Sequence, residues 1–145
     1  MVARCLEAAR PFAGRISVLD LRTIIPWDQE AVLESVRQTG KVLIVHEDTL
    51  TNGFAGEICA VVASQAFTDL DAPVEPIGVP DIPIPYNIRM MNAIVPSVAS
   101  IRATMERLLA FYTLPTWTDF FHARSTEIFA FDCSLQQNQK AIKAC

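Results

Sequence analysis

The chain has 145 residues, of which 51% are hydrophobic and 19% charged, and its formal net charge is −4. This length fits a single domain, and the apolar content excludes a largely disordered chain. Proteins that bind nucleic acids usually carry a basic patch or stripe, whereas the 12 Lys and Arg residues here are scattered along an acidic chain. We therefore expect no nucleic-acid partner.

The four cysteines, Cys5, Cys59, Cys133 and Cys145, lie far apart and show no CxxC spacing. A zinc site normally uses closely spaced Cys or His pairs, so we predict no metal site and expect reduced thiols, as in a cytosol-like compartment. No stretch of about 18 apolar residues could span a membrane, and the first residues lack the apolar run of a secretory signal. We expect a soluble protein with no membrane partner.

The first half of the chain alternates helical and strand patterns. Val2 to Arg10 has the apolar spacing of a helix, and Ile16 to Leu21 is predicted to be a short buried strand. Asp28 is a typical helix N-cap and Gly40 a typical helix terminator, so a second helix is predicted between them. Val42 to Val45 follows directly as a second buried strand.

The alternation continues in the second half. A third helix is predicted from about Ala55 to Phe67, and a strand from Val74 to Gly78. The prolines between Gly78 and Pro96 predict ordered but irregular structure. Ser97 is predicted to cap a last helix, whose apolar face is formed by Ile101, Met105, Leu108 and Tyr112. Helices and strands that alternate in this way predict an α/β layer domain with a parallel sheet.

Residues 112–145 differ in character from the rest of the chain. They are rich in aromatic residues at first, become polar near Gln136 to Lys140, and show no convincing periodicity. We therefore divide the chain into a domain at 1–111 and an atypical tail at 112–145. The tail is interpreted as a partner-binding segment or as sequence foreign to the domain, in preference to an added helix.

Two segments have the composition of a binding site. His46, Glu47 and Asp48 follow a predicted strand, where α/β proteins place binding loops, but neighbouring residues on an extended segment point to opposite faces. A structural His46 is therefore favoured over a catalytic base. The glycine-rich turn at Asn52 to Glu57 could bind an anion, but it lacks the Walker and GxGxxG spacings. Close packing on a sheet or on another subunit is the favoured interpretation, and no catalytic, cofactor-binding or metal-binding residue is predicted.

Several motifs resemble, in fixed order, the β subunits of thiamine-diphosphate-dependent 2-oxo acid dehydrogenases. The segment Asp20 to Asp28 is similar to their strand-to-helix signature, and the remaining elements follow in the family's order: Glu34-Ser35-Val36, Thr39 to Glu47, Thr51 to Ile58, Leu70 to Val74 and Asp81 to Pro85. Three segments look most like the branched-chain (2-oxoisovalerate) enzymes: Ile24 to Asp28, Val45-His46-Glu47 and the turn Gly53-Phe54-Ala55. Pyruvate dehydrogenase β subunits are close runners-up.

The resemblance implies a three-layer α/β/α domain with a mostly parallel sheet, of the transketolase C-terminal type. It implies that thiamine diphosphate and Mg are held by other domains, so that this chain alone is inactive. It further implies that this domain forms interfaces with the α subunit and a second β subunit, and docks the lipoyl acyltransferase core. The candidate interface and docking residues are His46, Glu47, Gly53, Phe54, Gly56 and Phe111.

Compared with the family that it resembles, this chain departs from the expected pattern in two ways. Family members have an interior strand before the segment that matches Met1, so Ile16–Leu21 and Val42–Val45 are expected to lack the strand between them. The family's chains end near Phe111, so an extension that carries Trp117, Phe120 and Phe121 is expected to cover the docking surface. Both departures suggest a fragment or an imperfect gene model.

The expected location is the mitochondrial matrix in a eukaryote and the cytoplasm in a bacterium. Two alternatives stay open: the same domain of a pyruvate or acetoin dehydrogenase, and a free-standing α/β module that binds an anion at the glycine turn.

Overall fold

The computed structural model describes residues 1–111 and, for the backbone alone, residues 126–130. Its helices are α1 (Val2–Ala9), α2 (Gln29–Thr39), α3 (Phe54–Gln65), α4 (Ile88–Ile94) and α5 (Val98–Ala110). Its strands are β1 (Ile16–Asp20), β2 (Val42–Thr49), β3 (Glu75–Val79) and β4 (Thr126–Ala130).

The strands form one sheet in the order β1-β4-β2-β3, and every pair of neighbours is parallel. Strand β2 lies inside this sheet. Its first four residues, Val42 to Val45, are 0% exposed, as expected for a parallel strand that is covered on both faces. The predicted α/β fold with a parallel sheet is confirmed.

Helices cover both faces of the sheet because successive residues of β2 point in opposite directions. Val42 and Ile44 pack with buried residues of α2 and α3. Leu43 and Val45 pack with buried residues of α1 and α5. This division confirms the three-layer α/β/α architecture that the resemblance implied.

The helix ends follow the predicted capping residues. The Asp28 carboxylate accepts a hydrogen bond from the Ala31 amide at 3.0 Å at the start of α2. Gly40 ends the same helix in the left-handed conformation, with φ +69°. Ser97 and Ser100 form a reciprocal capping box at the start of α5. These local predictions are confirmed.

Two elements differ from the sequence interpretation. Strand β2 continues through His46 to Thr49, because Thr49 pairs again with Val79 of β3 after an irregularity. The proline-rich segment contains the short helix α4, whose N-cap Asn87 accepts a hydrogen bond from the Arg89 amide. Periodicity did not predict this helix because it is only two turns long and has no buried residue.

The expected gap between Ile16–Leu21 and Val42–Val45 is wrong. Strand β4 lies between β1 and β2 and pairs with both. This strand comes from beyond residue 111, where no periodicity was found. The division of the chain at 111 stays a prediction, and Trp117, Phe120, Phe121 and Tyr112 lie outside the described residues.

Candidate functional site

His46 is the most unusual polar residue in the described part of the chain. It lies near the end of β2, at the carboxyl edge of the sheet, and is 3% exposed. Both of its ring nitrogens are buried without a hydrogen-bond partner among the described residues. A buried polar group in this state costs free energy, so the position of the ring must be imposed by its surroundings.

Two glycines enclose the imidazole of His46. A Cβ atom built on Gly78 of β3 would lie 2.6 Å from His46 Nε2 and 2.7 Å from the Asp48 carbonyl oxygen. A Cβ built on Gly53 would lie 2.9 Å from His46 Cε1 and would also overlap the Thr49 carbonyl oxygen. The sequence marked Gly53 as a candidate interface residue. It gave no signal for Gly78, because the position of Gly78 beside His46 depends on the pairing of β3 with β2.

Burial lowers the pKa of His46, and the nearby Asp48 charge opposes this shift to a smaller extent. The folded state therefore favours the neutral imidazole, while the unfolded chain titrates near 6.5. The stability that neutral His46 contributes is complete above the unfolded pKa, and it is lost as the pH falls through the folded pKa.

We therefore expect the free energy of unfolding to fall as the pH is lowered from about 8 to about 5.5. The His122→Gln variant leaves His46 as the sole histidine of this chain, so urea unfolding of that variant across the pH range isolates its contribution. Adding His46→Gln should flatten the profile. Equal slopes in the single and double variants would contradict the expectation.

The other candidate residues do not gather around His46. Glu47 Oε1 forms an ion pair with the amino group of Met1 at 3.4 Å. The rings of Phe54 and Trp27 form a T-shaped pair, with centroids 6.1 Å apart, on the side of the sheet covered by α2 and α3. Gly56 is exposed on α3, and a Cβ there would meet no atom within 4 Å. The predicted close packing is thus found at Gly53 but not at Gly56 in the described chain.

Phe111 lies apart from these residues, at the end of α5. It is 43% exposed and lines an open cleft of about 690 Å³ with Phe67, Leu70 and Val74. Its carbonyl oxygen accepts a hydrogen bond from Lys41 Nζ at 2.9 Å. Most of the residues that line this cleft have apolar side chains.

A run of exposed apolar side chains follows β3, and sequence analysis missed it. We call it the apolar strip, defined as Ile82, Ile84, Tyr86, Ile88 and Met90. These side chains are between 45% and 103% exposed. The signal was present in the sequence, as large apolar residues at every second position from 82 to 90.

Polar contacts hold both ends of the apolar strip. At its start, Asp81 accepts hydrogen bonds from the amide and hydroxyl of Thr51, and these bonds lower the pKa of Asp81. Beyond its end, Arg4 donates to the Pro96 carbonyl at 2.8 Å and to Asn92 Oδ1 at 3.3 Å. The strip is therefore an exposed segment tied to the domain at two points.

Among residues 1–111 there is no group of three His, Cys, Asp or Glu side chains that could hold a metal ion. The Nε2 atom of His46 lies close to the backbone of Gly78. The two cysteines in this range are free, and burial raises the pKa of Cys5 to about 12, so Cys5 is a poor nucleophile.

A family model described as "Transketolase, C-terminal domain" matches residues 1–101. This range includes both glycines around His46 and the whole apolar strip. The chain belongs to the transketolase C-terminal domain family. No helix within the described residues is long and apolar enough to cross a membrane.

Curated relatives of this family member include β subunits of three kinds. It is 39% identical over 95 residues to the 2-oxoisovalerate dehydrogenase subunit beta of Bacillus subtilis, covering 65% of this chain and 29% of the relative. It is 38% identical over 112 residues to the acetoin:2,6-dichlorophenolindophenol oxidoreductase subunit beta of Cupriavidus necator, covering 75% and 33%. It is 40% identical over 80 residues to the pyruvate dehydrogenase E1 component subunit beta of Rickettsia bellii, covering 55% and 25%.

The chain thus spans at most about a third of the length of these relatives. The names of these relatives differ in the substrate. Their sequence identities to this chain are too similar to favour one of the three kinds. The family membership is shared by all three.

Proposed function

We propose that this chain is the subunit-interface and partner-docking domain of the β subunit of a branched-chain 2-oxo acid dehydrogenase. The full enzyme would oxidatively decarboxylate a 2-oxo acid and transfer the acyl group to a lipoyl arm, with thiamine diphosphate and Mg held by other domains. Its partners would be the α subunit, a second β subunit and the acyltransferase core. A eukaryotic enzyme would lie in mitochondria, as the name of an Arabidopsis thaliana relative states for that protein.

The apolar strip is the observation that carries this proposal. Five large apolar side chains are exposed within nine residues, and exposed apolar side chains that act together mark interaction surfaces in soluble proteins. Aromatic residues such as Tyr86 often dominate binding energy. The polar contacts at the two ends of the strip reduce the conformational freedom that binding would otherwise remove. The open space over Gly56 and the cleft beside Phe111 support two further contact surfaces.

The branched-chain type is favoured by the motifs at Ile24 to Asp28 and Val45 to Glu47. The same domain of a pyruvate or acetoin enzyme is the second candidate. A free-standing anion-binding module is less well supported, because Gly53 packs against the Thr49 carbonyl oxygen and the Gly56 amide already donates to the Gly53 carbonyl at 3.0 Å. Glu57 in the first turn of α3 would also repel an anion.

The test is titration of the chain with an isolated α subunit from a branched-chain, a pyruvate or an acetoin dehydrogenase, followed by calorimetry. We expect the tightest binding to the branched-chain α subunit. The double variant Ile84→Glu/Tyr86→Glu should weaken that binding at least about tenfold, or about 1.4 kcal/mol, because it places charge in a desolvated interface. Both side chains are exposed, so the fold should be retained.

Leu6→Glu is the matched control, because Leu6 is an apolar side chain of α1 that is 48% exposed and lies outside the strip. It should bind like the unmodified chain. Absence of binding to all three α subunits would refute the interface role, and tightest binding to the pyruvate or acetoin partner would refute the branched-chain assignment. An equal loss in Leu6→Glu would show that the strip is not the contact surface.

A further inference from the structure

Strand β4 is the last of the described strands in sequence but lies inside the sheet. Each of its positions from Thr126 to Ala130 pairs in register with a residue of β1, from Ile16 to Asp20. Positions 127–130 pair at the same time with Val42 to Val45 of β2. Strand β4 is thus an interior parallel strand with backbone neighbours on both sides, which provides partners for its amides and carbonyls.

The position that β4 occupies is enclosed on four sides. Strands β1 and β2 form two sides. The other two are α1 and α2, each of which has Cα atoms within 8 Å of β4; α1 packs in one hydrophobic cluster and α2 in the other. In sequence, Ile128-Phe129-Ala130 is the continuous apolar run typical of a strand buried on both faces. We call this enclosed position the strand slot.

Strand β1 joins the sheet only when a strand occupies the strand slot. Within the described residues, β4 is the only strand that pairs with β1. Neighbouring strands lie about 4.8 Å apart, so removing β4 would leave β1 and β2 about twice that distance apart and unable to form hydrogen bonds with each other. The amides and carbonyls that face the slot would then lose their partners, which is costly in a buried position.

We propose that the strand slot is a binding site for a short, extended, apolar segment in parallel orientation, and that the chain fills it in cis with Thr126–Ala130. The segment 126–130 is then a built-in ligand of the 1–111 domain, and its insertion couples β1 to the rest of the sheet. This inference rests on the sheet pairing and is independent of the proposed dehydrogenase role.

Hydrogen exchange of the unmodified full chain tests the proposal directly. Amides of 126–130 and of β1 should exchange at least about 100-fold more slowly than in an unstructured peptide, in line with β2. Free exchange at 126–130 while β2 stays protected would overturn the proposal, whatever the outcome of the α-subunit titrations.

A proline substitution then tests dependence on the strand. Ile128→Pro removes an amide donor from an interior strand, where proline is not tolerated, while Ile128→Val keeps the donor and a β-branched side chain. We expect loss of β1 protection in Ile128→Pro and retention in Ile128→Val. Adding a synthetic peptide of residues 124–132 to Ile128→Pro should restore β1 protection in a saturable manner. If β1 keeps its protection in Ile128→Pro, the proposal is wrong.

If each chain fills its own strand slot, the protein should be a monomer in solution. Light scattering of the unmodified chain should give a monomer whose β1 protection is independent of protein concentration. A dimer whose dissociation abolishes protection of β1 would mean that the slot is filled by a second copy, and would overturn the cis assignment.

Discussion

Gly53→Ala is expected to reduce the free energy of unfolding by about 3 kcal/mol, at the upper end of the usual cost of overpacking. The backbone of Gly53 is ordinary, with φ −79° and ψ 162°, so the cost is steric and not conformational. The new methyl group would overlap the Thr49 carbonyl oxygen and lie 2.9 Å from His46 Cε1. Neither neighbour can retreat easily, because one is backbone and the other is a buried ring that also lies against Gly78. Urea unfolding monitored by circular dichroism measures the change.

Gly56→Ala is the matched control, since it adds the same methyl group three residues later. A Cβ at Gly56 would meet no atom within 4 Å, and alanine is favoured over glycine in helices by up to about 1 kcal/mol. We expect unchanged or slightly higher stability. Equal destabilisation at both positions would contradict the steric explanation.

Gly40→Ala is expected to cost about 2–3 kcal/mol, from two separable sources. Gly40 has φ +69°, which costs a residue with a Cβ roughly 1 kcal/mol. The new methyl group would also overlap the Asp71 carboxylate and approach the Asp69 carbonyl oxygen to 3.2 Å. The Asp71 backbone is held in place, because its amide donates to the Gly40 carbonyl at 2.7 Å, so only rotation of the carboxylate can relieve that overlap.

Gly14→Ala separates these two sources. Gly14 also has a positive φ, +78°, but a Cβ there would contact nothing within 4 Å. We expect a loss of about 1 kcal/mol, which is the conformational term alone. The difference between the two urea midpoints, converted with a common m value, gives the contribution of the Asp71 contact. If Gly14→Ala were as destabilising as Gly40→Ala, the contact with Asp71 would contribute nothing.

Part of the candidate site could be predicted from the sequence. His46 follows an apolar strand, and Gly53 stands in a glycine-rich turn that opens a helix, so both positions carry local signals. Their contact with each other depends on the return of the chain from β2 into α3. Gly78 carries no local signal, because its closeness to His46 arises from the pairing of β3 with β2.

The sequence by itself determined the layers of this domain. Asp28, Gly40 and Ser97 mark helix ends through hydrogen bonds and backbone preferences that lie within a few residues, and the apolar run Val42–Val45 marks a strand that must be covered on both faces. Only the tertiary structure decided the strand order, because pairing joins residues far apart in sequence and leaves no periodic trace. The same limit explains why the position between β1 and β2 was expected to be empty, although β4 fills it. It also explains why Gly53 and Gly56 looked equivalent, although a Cβ at Gly53 would overlap the Thr49 carbonyl oxygen and a Cβ at Gly56 would meet open space.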